Sequence, residues 1–343
     1  MKPLITALID TYNHERYIEQ ALVSAVEQGL SPSEMEIIVV DDGSTDKTAS
    51  IIQKFVPRVK HLRKKNGGQA SAFNAGFLES QGQIIAPLDG DDWWGSGKIA
   101  AVLRELEQDE KLMAVSHAYY EVHEKNNEMR LRGPAEIEFL HLGTPRAARL
   151  AHDHWHFLVM GALTVRRKIF ERVTPIPEVL KFSADGPIAT SAMAAGVRVL
   201  PQPLSYYRFH ENNLNAIDTQ DLAKLRKKYE ISEAFVETLY SILPGLGVNP
   251  DCVTELLDPA WIHVNRTVLR NFGGSRLKTF RTEMRYFNLE VKNPRLAYRL
   301  YRHLVVGTAT LVLPPRTFYK LREWVARQDL RRFREWASKR SSI

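Results

Sequence analysis

Short apolar runs alternate with amphipathic stretches through the first hundred residues. Leu4–Ile9 is apolar except for Thr6, has the length of a buried strand and ends at Asp10. Ile18, Ala21, Leu22, Ala25 and Val26 then recur at three- and four-residue spacing, one face of a helix, which Gly29 and Pro32 stop. Glu36–Val40 reads as a second strand, continuous and β-branched, as in a sheet covered on both faces. Asp41 to Asp46 is a turn with N-cap candidates, and Ile51, Ile52 and Phe55 follow on a helical face. Val59–Leu62 is a weaker third strand. Ala70, Phe73 and Phe77 mark the inward side of a helix ended by Gly82, and Gln83–Leu88 is a fourth strand. This repeated alternation predicts a parallel α/β sheet.

Beyond Lys98 the pattern loosens. A helix at Ile99–Glu107 and a strand-like run at Met113–Val122 precede polar sequence to about Thr144. Gly161–Val165 and Arg198–Leu200 are short strand candidates, and Pro187–Ala195 reads as a helix. From about Asp218 the chain is helical and polar, with Pro244 and Pro250 as breaks. A boundary near Asn215–Asp218 separates an α/β domain, 1–215, from a helical region, 216–343.

Parallel strands bring their carboxyl ends to one edge, where open α/β sheets bind ligands. Four polar clusters converge there: Thr11-Tyr12-Asn13, Asp41-Asp42-Gly43-Ser44, Asn66-Gly67-Gly68 and Asp89-Gly90-Asp91-Asp92. The last crowds three carboxylates into four positions, which is unfavourable unless solvent or a cation neutralises them. Such an oxygen donor set suits Mg²⁺ or Mn²⁺ rather than Zn²⁺. The turn after the first strand lacks the glycines of a dinucleotide site. Gly90 and Gly95 have P-loop spacing, but Ser96-Gly97 stands where Lys-Ser/Thr must follow. His152-Asp153-His154-Trp155-His156 lacks the His-x-x-x-His of a helical zinc pair and reads as a loop with Trp155 available for stacking.

Composition adds little until it is divided. The 343 residues are 44% hydrophobic and 25% charged, enough for a substantial core and two domains. One cysteine, Cys252, rules out an internal disulfide and fits a reducing compartment. Leu4–Ile9 is too short for a signal-peptide core, and Leu304–Pro315 falls short of the ~20 residues of a spanning helix. Net charge is +7, yet residues 290–343 hold thirteen Lys/Arg against four acids, so this tail is +9 and the rest −2. Tyr298, Tyr301, Leu304, Val305, Phe318, Leu321, Trp324, Val325, Phe333 and Trp336 lie there at near-helical spacing, broken by Pro314-Pro315. Two readings stand: helices lying in an anionic membrane interface, or apolar faces packed on the protein with solvated arginines. Nothing points to nucleic acid. The expected location is cytoplasmic, or peripheral on the inner face of the plasma membrane.

Taken together, Thr11-x-Asn13-x-x-x-Tyr17-Ile18, Glu36 to Ser44 with Asp46 and Thr48, Asn66-x-Gly68-x-Ala70-x-Ala72-x-Asn74-x-Gly76 and Leu88-Asp89-x-Asp91-Asp92 resemble the family-2 glycosyltransferases of the GT-A fold. The likeness is dense over 4–100 and sparse to about Asn213. It implies a nucleotide-sugar-binding half, about 1–100, and an acceptor half, about 101–215. Thr11, Asn13, Asp41 and Asp42 would meet the nucleoside of the donor, expected to be a UDP-sugar, with Asn66, Gly68, Asn74, Asp89 and Gly90 lining its site. Asp91 and Asp89 would hold Mn²⁺ or Mg²⁺, Asp89 directly, through water or by contacting ribose instead. Asp185, in Ser183-Ala184-Asp185-Gly186-Pro187, matches the family's catalytic base, although Ala184 stands where a glutamate often precedes it. As a bare sequence feature Asp185 reads equally as an N-cap. Leu204 to Asn213 resembles the family's Y-R-x-H-x-x-N stretch, with Arg208 for phosphate and His210 as a metal ligand or lid contact. Trp155 and Trp93 are acceptor-side candidates. The resemblance implies a metal-dependent, inverting transfer to a polysaccharide, glycolipid or other saccharide or lipid-linked acceptor. The alternatives are a nucleotidyltransferase forming sugar nucleotides, whose glycine-rich loop is missing, and a non-catalytic sugar-nucleotide-binding or membrane adaptor protein.

Overall fold

The computed structural model describes residues 3–211, 213, 222–290 and 306–324. Its first half follows the hydrophobic pattern: β1 (Ile5–Thr11), α1 (Ile18–Val26), β2 (Met35–Asp41), α2 (Thr48–Gln53), β3 (Lys60–Arg63), α3 (Gln69–Glu79) and β4 (Ile84–Asp89). Alternate residues of each strand serve opposite faces. Ile5, Ala7 and Ile9 join Ile37, Val39, Ala86 and Leu88 in a core shared with Ile18 and Leu22 of α1. Leu8 and Val40 lie against Gly76 of α3 on the other side. Both faces are covered, so Ile37–Val40 are all buried, and each such side chain contributes about 1.5–3 kcal/mol.

The chain continues through β5 (Trp93–Trp94), α4 (Lys98–Gln108), β6 (Ala114–His123), β7 (Glu128–Arg132), β8 (Glu138–Leu140), α5 (Pro145–Asp153), a 3-10 turn at Trp155–Phe157, β9 (Thr164–Arg166), α6 (Arg167–Val173), α7 (Asp185–Ala195) and β10 (Val197–Phe209). The sheet order is β3-β2-β1-β4-β9-β6-β10-β5, with β7 on β6 and β8 on β10. Strands β1, β2, β3, β4, β6 and β10 run one way; β5, β7, β8 and β9 run the other. The expected mostly parallel α/β sheet flanked by helices is present, with antiparallel strands that the periodicity did not announce.

Two differences from the sequence reading have physical causes. The polar stretch before Thr144 contains β7 and β8, which pair with β6 and β10 and leave Met129, Leu131 and Phe139 exposed. Expected only over Arg198–Leu200, β10 runs on to Phe209 despite Pro201 and Pro203. Register shifts against β6 between Leu200 and Ser205 absorb both prolines, and pairing then resumes to Phe209. That continuation delivers Arg208 and His210 to the edge where β4 ends.

Contacts divide the chain into two units. The first holds the described residues of Met1–Gln220 with Ala234–Leu256 and contains the sheet. The second comprises the described residues of Asp221–Glu233 and Leu257–Ile343. Helices α8 (Leu222–Gly245), α9 (Pro250–Phe272) and α10 (Arg276–Glu290) supply most of the rest. Inside the second unit, buried Glu283 accepts from Arg266 (2.8 Å at each oxygen), Arg322 (2.6 Å) and the Tyr319 hydroxyl (3.1 Å). Residues 306–312 and 315–324 are helical, broken before Pro315 as expected. Phe318 packs with Leu269 and Tyr319, whereas Leu321 and Trp324 are exposed. Tyr298, Tyr301, Leu304, Val305, Val325, Phe333 and Trp336 lie outside the described residues.

Candidate active site

The winding reverses between β1 and β4, the two central parallel strands, and the ends of such strands at a reversal are where open α/β sheets form their ligand crevice. Asp10 and Asp89 are cross-strand partners at that point. Gly90 turns the chain past β1 so closely that a Cβ there would sit 2.7 Å from Thr11 Oγ1 and 2.8 Å from the Asp10 carbonyl. Carboxylate oxygens of Asp89, Asp91 and Asp92 lie within 4.8 Å of one another, the one potential metal-holding cluster among the described residues. The His152–His156 stretch does not form one: His152 Nδ1 faces the Leu256 carbonyl at 2.8 Å and His154 pairs with Glu138 at 2.6 Å.

The three acids differ in surroundings. Asp92 is buried and its Oδ1 accepts the Arg208 main-chain N–H at 2.7 Å. Desolvation, then the charges of Asp91 and Asp89, hold its pKa well above the usual carboxylate range. Asp91 faces His210 Nε2 at 3.1 Å and His14 Nε2 at 3.9 Å. Desolvation raises its pKa, but the His210 hydrogen bond and the two imidazoles outweigh it and leave the carboxyl below its ordinary value. Asp89 is pushed up to about 7 by desolvation and the Asp91 charge, against hydrogen bonds from Asp10 and Gln69. Behind it, Asp10 is raised by burial and by Asp89. Hard oxygen donors at this density, with excess negative charge concentrated on few atoms, fit a divalent cation of the Mg²⁺ or Mn²⁺ kind.

These values set a direction for stability. An unfolded aspartate titrates near roughly 3.9. The native state therefore binds more protons as pH falls through about 7, and stability gained below that is lost as pH rises through it. Thermal scans of the metal-free protein from pH 5 to 8 are expected to show Tm falling with pH. Asp89→Asn should flatten that slope; a slope as steep as wild type would assign it to other groups.

Asp185 is the first residue of α7. The cap position belongs to Ala184, which makes no side-chain capping bond, so the N-cap reading of Asp185 is not realised. Desolvation lifts its carboxyl to about 6, opposed by the N–H groups of Gly186 and of Asp185 itself. Its charge in turn raises Asp89, so the two carboxylates share one electrostatic neighbourhood. Gln69 joins them physically: Nε2 donates to Asp89 Oδ1 at 2.8 Å, and Oε1 accepts the Ala184 N–H at 2.9 Å.

Other candidates are drawn into the walls. Asp41 is fully buried and accepts the Ser44 N–H at 2.8 Å. Asp42 accepts from Lys64 Nζ (2.7 Å), the Gly67 N–H (3.0 Å) and the Gly68 N–H (2.7 Å). Gly68 has φ 90°, and a Cβ there would meet Lys181 at 2.8 Å. Thr11 is buried with Oγ1 3.2 Å from His14 Nδ1, whereas Asn13 and Asn66 are exposed. Asn13, at φ 56°, accepts the Thr45 N–H at 2.8 Å and so ties the loops after β1 and β2 together. Asn74 pairs with both the N–H and the carbonyl of Ile176, at 2.7 and 2.8 Å.

Arg208 sits beneath the Asp91–Asp92 turn. Its guanidinium donates to the Asp91 carbonyl (2.8 Å), Gln20 (2.6 Å) and Glu124 (3.3 Å) and lies over the rings of Trp93 and Tyr17. Trp93 is also stacked on Tyr206, with centroids 4.7 Å apart. Half-buried Trp155 meets Phe235 edge-on, and Phe235 is packed hard against Gly186, beside Asp185. His14, Asp10 and Gln69 went unnoticed in the sequence. The charged end of an apolar strand could have flagged Asp10, and the polar turn His14, but no local signal marks Gln69.

Known proteins resemble this chain over most of its length. The profile described as "Glycosyl transferase family 2" matches residues 6–174. An uncharacterized glycosyltransferase of Nostoc sp. is 29% identical over 262 residues, 74% of this chain and 80% of the relative. The uncharacterized glycosyltransferase EpsJ of Bacillus subtilis is 30% identical over 253 residues, 68% and 70% of the two chains. Among solved structures, residues 1–349 of S. aureus TarS, crystallised with UDP and with UDP-GlcNAc, superpose with a TM-score of 0.58 at 16% identity. The UDP complex covers 90% of this chain and 91% of that one, a likeness of fold.

Proposed function

The chain belongs to glycosyl transferase family 2 and is a glycosyltransferase of GT-A fold, and we propose that it is a metal-dependent, inverting enzyme moving a sugar from a nucleotide-sugar to a saccharide or lipid-linked acceptor. The observation that carries this reading is the Asp89–Asp91–Asp92 cluster, to which Gln69 ties Ala184 in the turn carrying Asp185. Asp91 and Asp89 would hold Mn²⁺ or Mg²⁺, with His210 beside Asp91. When bound, that cation supplies Lewis-acid stabilisation of the charge developing on the departing nucleoside diphosphate.

The chain's own residues do the rest. Exposed Asn13 and Asn66 offer amides to the nucleoside. Thr11, Asp41 and Asp42 shape the loops that carry them, and Gly68 and Gly90 let backbone approach the donor. Arg208 contributes positive charge beneath Asp91, and Asn74 anchors the segment leading to α7. Asp185 takes the proton from the acceptor hydroxyl as that oxygen bonds to the anomeric carbon and the bond from this carbon to the diphosphate oxygen breaks. A carboxylate near 6 is largely ionised at neutral pH and more basic than an exposed aspartate, which suits it to that task. Trp155, near Asp185 through Phe235, faces the acceptor side, and Trp93 supports it by holding Arg208.

Uridine is the base to try first, since a protein of the same fold was crystallised with UDP-GlcNAc. A panel of nucleotide-sugars with Mn²⁺, read by nucleoside diphosphate release, is expected to show turnover with at least one donor and none in excess EDTA. Thermal stabilisation by a donor with no turnover, across a panel of saccharide and lipid-linked acceptors, would favour a binding protein instead.

No helix among the described residues is long and apolar enough to cross a membrane. A lipid-linked acceptor would make surface docking useful. The basic tail, with Leu321 and Trp324 exposed beside Lys320, supports binding to anionic lipid at ~1 kcal/mol per basic group near the surface. The full chain should sediment with anionic vesicles at low salt and a 1–289 truncation should not; equal binding by both would remove the tail from this role.

A further inference from the structure

Gln69 opens α3, and its side chain touches both the carboxylate cluster and the turn bearing Asp185. Its main-chain N–H also donates to the Lys181 carbonyl at 3.0 Å. The segment leading into α7 is clipped to α3 and to the turn before it at further points. Asn74 pairs with Ile176, Ser71 Oγ donates to Glu178 at 3.0 Å, and Lys181 Nζ donates to the Gly67 carbonyl at 2.6 Å. Those contacts fix residues 176–181. They stop short of Ser183, which holds φ 65°, an uncommon value for a residue with a side chain, and of Ala184, whose N–H Gln69 takes.

A primary amide donates from its nitrogen and accepts at its oxygen, so one side chain bridges the two partners. Ionised glutamate of the same length can only accept, and methionine cannot donate and accepts only weakly. We propose that Gln69 is a positioning residue that locks the turn carrying the base to the cation-binding carboxylate, so that filling the donor site and setting Asp185 are one event. This rests on the roles proposed above for Asp89 and Asp185. Drawing Asp89 toward a cation moves the amide's partner on one side and is felt at the first turn of α7 on the other.

Hydrogen exchange by mass spectrometry on the full chain, with and without Mn²⁺ plus UDP, reads this coupling. In the wild type, saturating Mn²⁺ and UDP should slow exchange in peptides covering 181–190. In Q69M that response should vanish, although Mn²⁺ still binds by titration calorimetry, weakened roughly 10- to 100-fold as is usual when an outer partner of a metal ligand is lost. Q69E keeps an acceptor for Ala184 but sets a second anion against Asp89, so it should retain the basal protection of 181–190 while binding Mn²⁺ more weakly. In turnover at saturating donor and Mn²⁺, Q69M should lower kcat roughly 10- to 100-fold. It should lower it no further in an Asp185→Asn background, where no base remains to be set. An undiminished response in Q69M, a wild type that binds Mn²⁺ and UDP without any response, or multiplying effects of Q69M and Asp185→Asn would each overturn the proposal. A wild type that binds no Mn²⁺ and UDP, or a fully active Asp185→Asn, overturns the donor or base assignment itself and this inference with it.

Discussion

Asp91→Ala is expected to abolish sugar transfer and Mn²⁺-dependent UDP binding while leaving Tm and circular dichroism close to wild type. The residue lies in the loop past β4 rather than in the apolar core, and its carboxylate meets imidazoles, not packing side chains. Losing a cation that stabilises the leaving group is worth several kcal/mol, and each 1.36 kcal/mol is tenfold in rate, so a fall of roughly 10³-fold or more is the scale to look for. Asp89→Ala should be severely impaired as well. Asp92→Ala should act differently, because its carboxylate holds the buried Arg208 N–H. An unpaired buried donor costs about 1–3 kcal/mol, so that variant should lose stability more than metal affinity. Full activity of Asp91→Ala, or activity undiminished in excess EDTA, would reject the metal assignment.

The second large effect is expected at the base. Asp185→Asn keeps the size of the side chain but cannot take a proton, so transfer should fall by a factor on the order of 10² to 10⁴ with donor binding near normal. Wild-type kcat should also lose activity on the acid side, since protonation removes the base. The metal-free carboxyl titrates at about 6, and a neighbouring cation favours the charged form, so that limb belongs at or below this pH. Parallel loss of donor affinity and rate in Asp185→Asn would show that the residue holds the donor instead. Comparison with Q69M is then informative, because a group that positions the base cannot cost more than the base itself.

Much of this was legible along the chain. The apolar runs and helical spacings specified β1, α1, β2, α3 and β4, since residues buried on both faces of a sheet must be continuously apolar and those on a helix must recur every three or four positions. Parallel direction then carried Asn13, Asp42, Gly68 and Asp91 to one edge without further information. Crowding of Asp89, Asp91 and Asp92 signalled a cation for an equally local reason, the repulsion of adjacent like charges. Tertiary structure alone decided the partners. Gln69 and Ala184 are 115 residues apart, Arg208 and Asp92 116, and Asn74 and Ile176 102. No periodicity reaches so far, because a hydrogen bond between distant residues depends on which strands pair and in what register. The passage of β10 through two prolines is of the same kind: local propensity ends the strand at Leu200, and pairing with β6 carries it to Phe209. The sequence by itself thus determined which groups would stand at the mouth of the crevice. Pairing across the sheet determined which of them face it, which are locked into its walls, and how the carboxylate cluster is tied to Asp185.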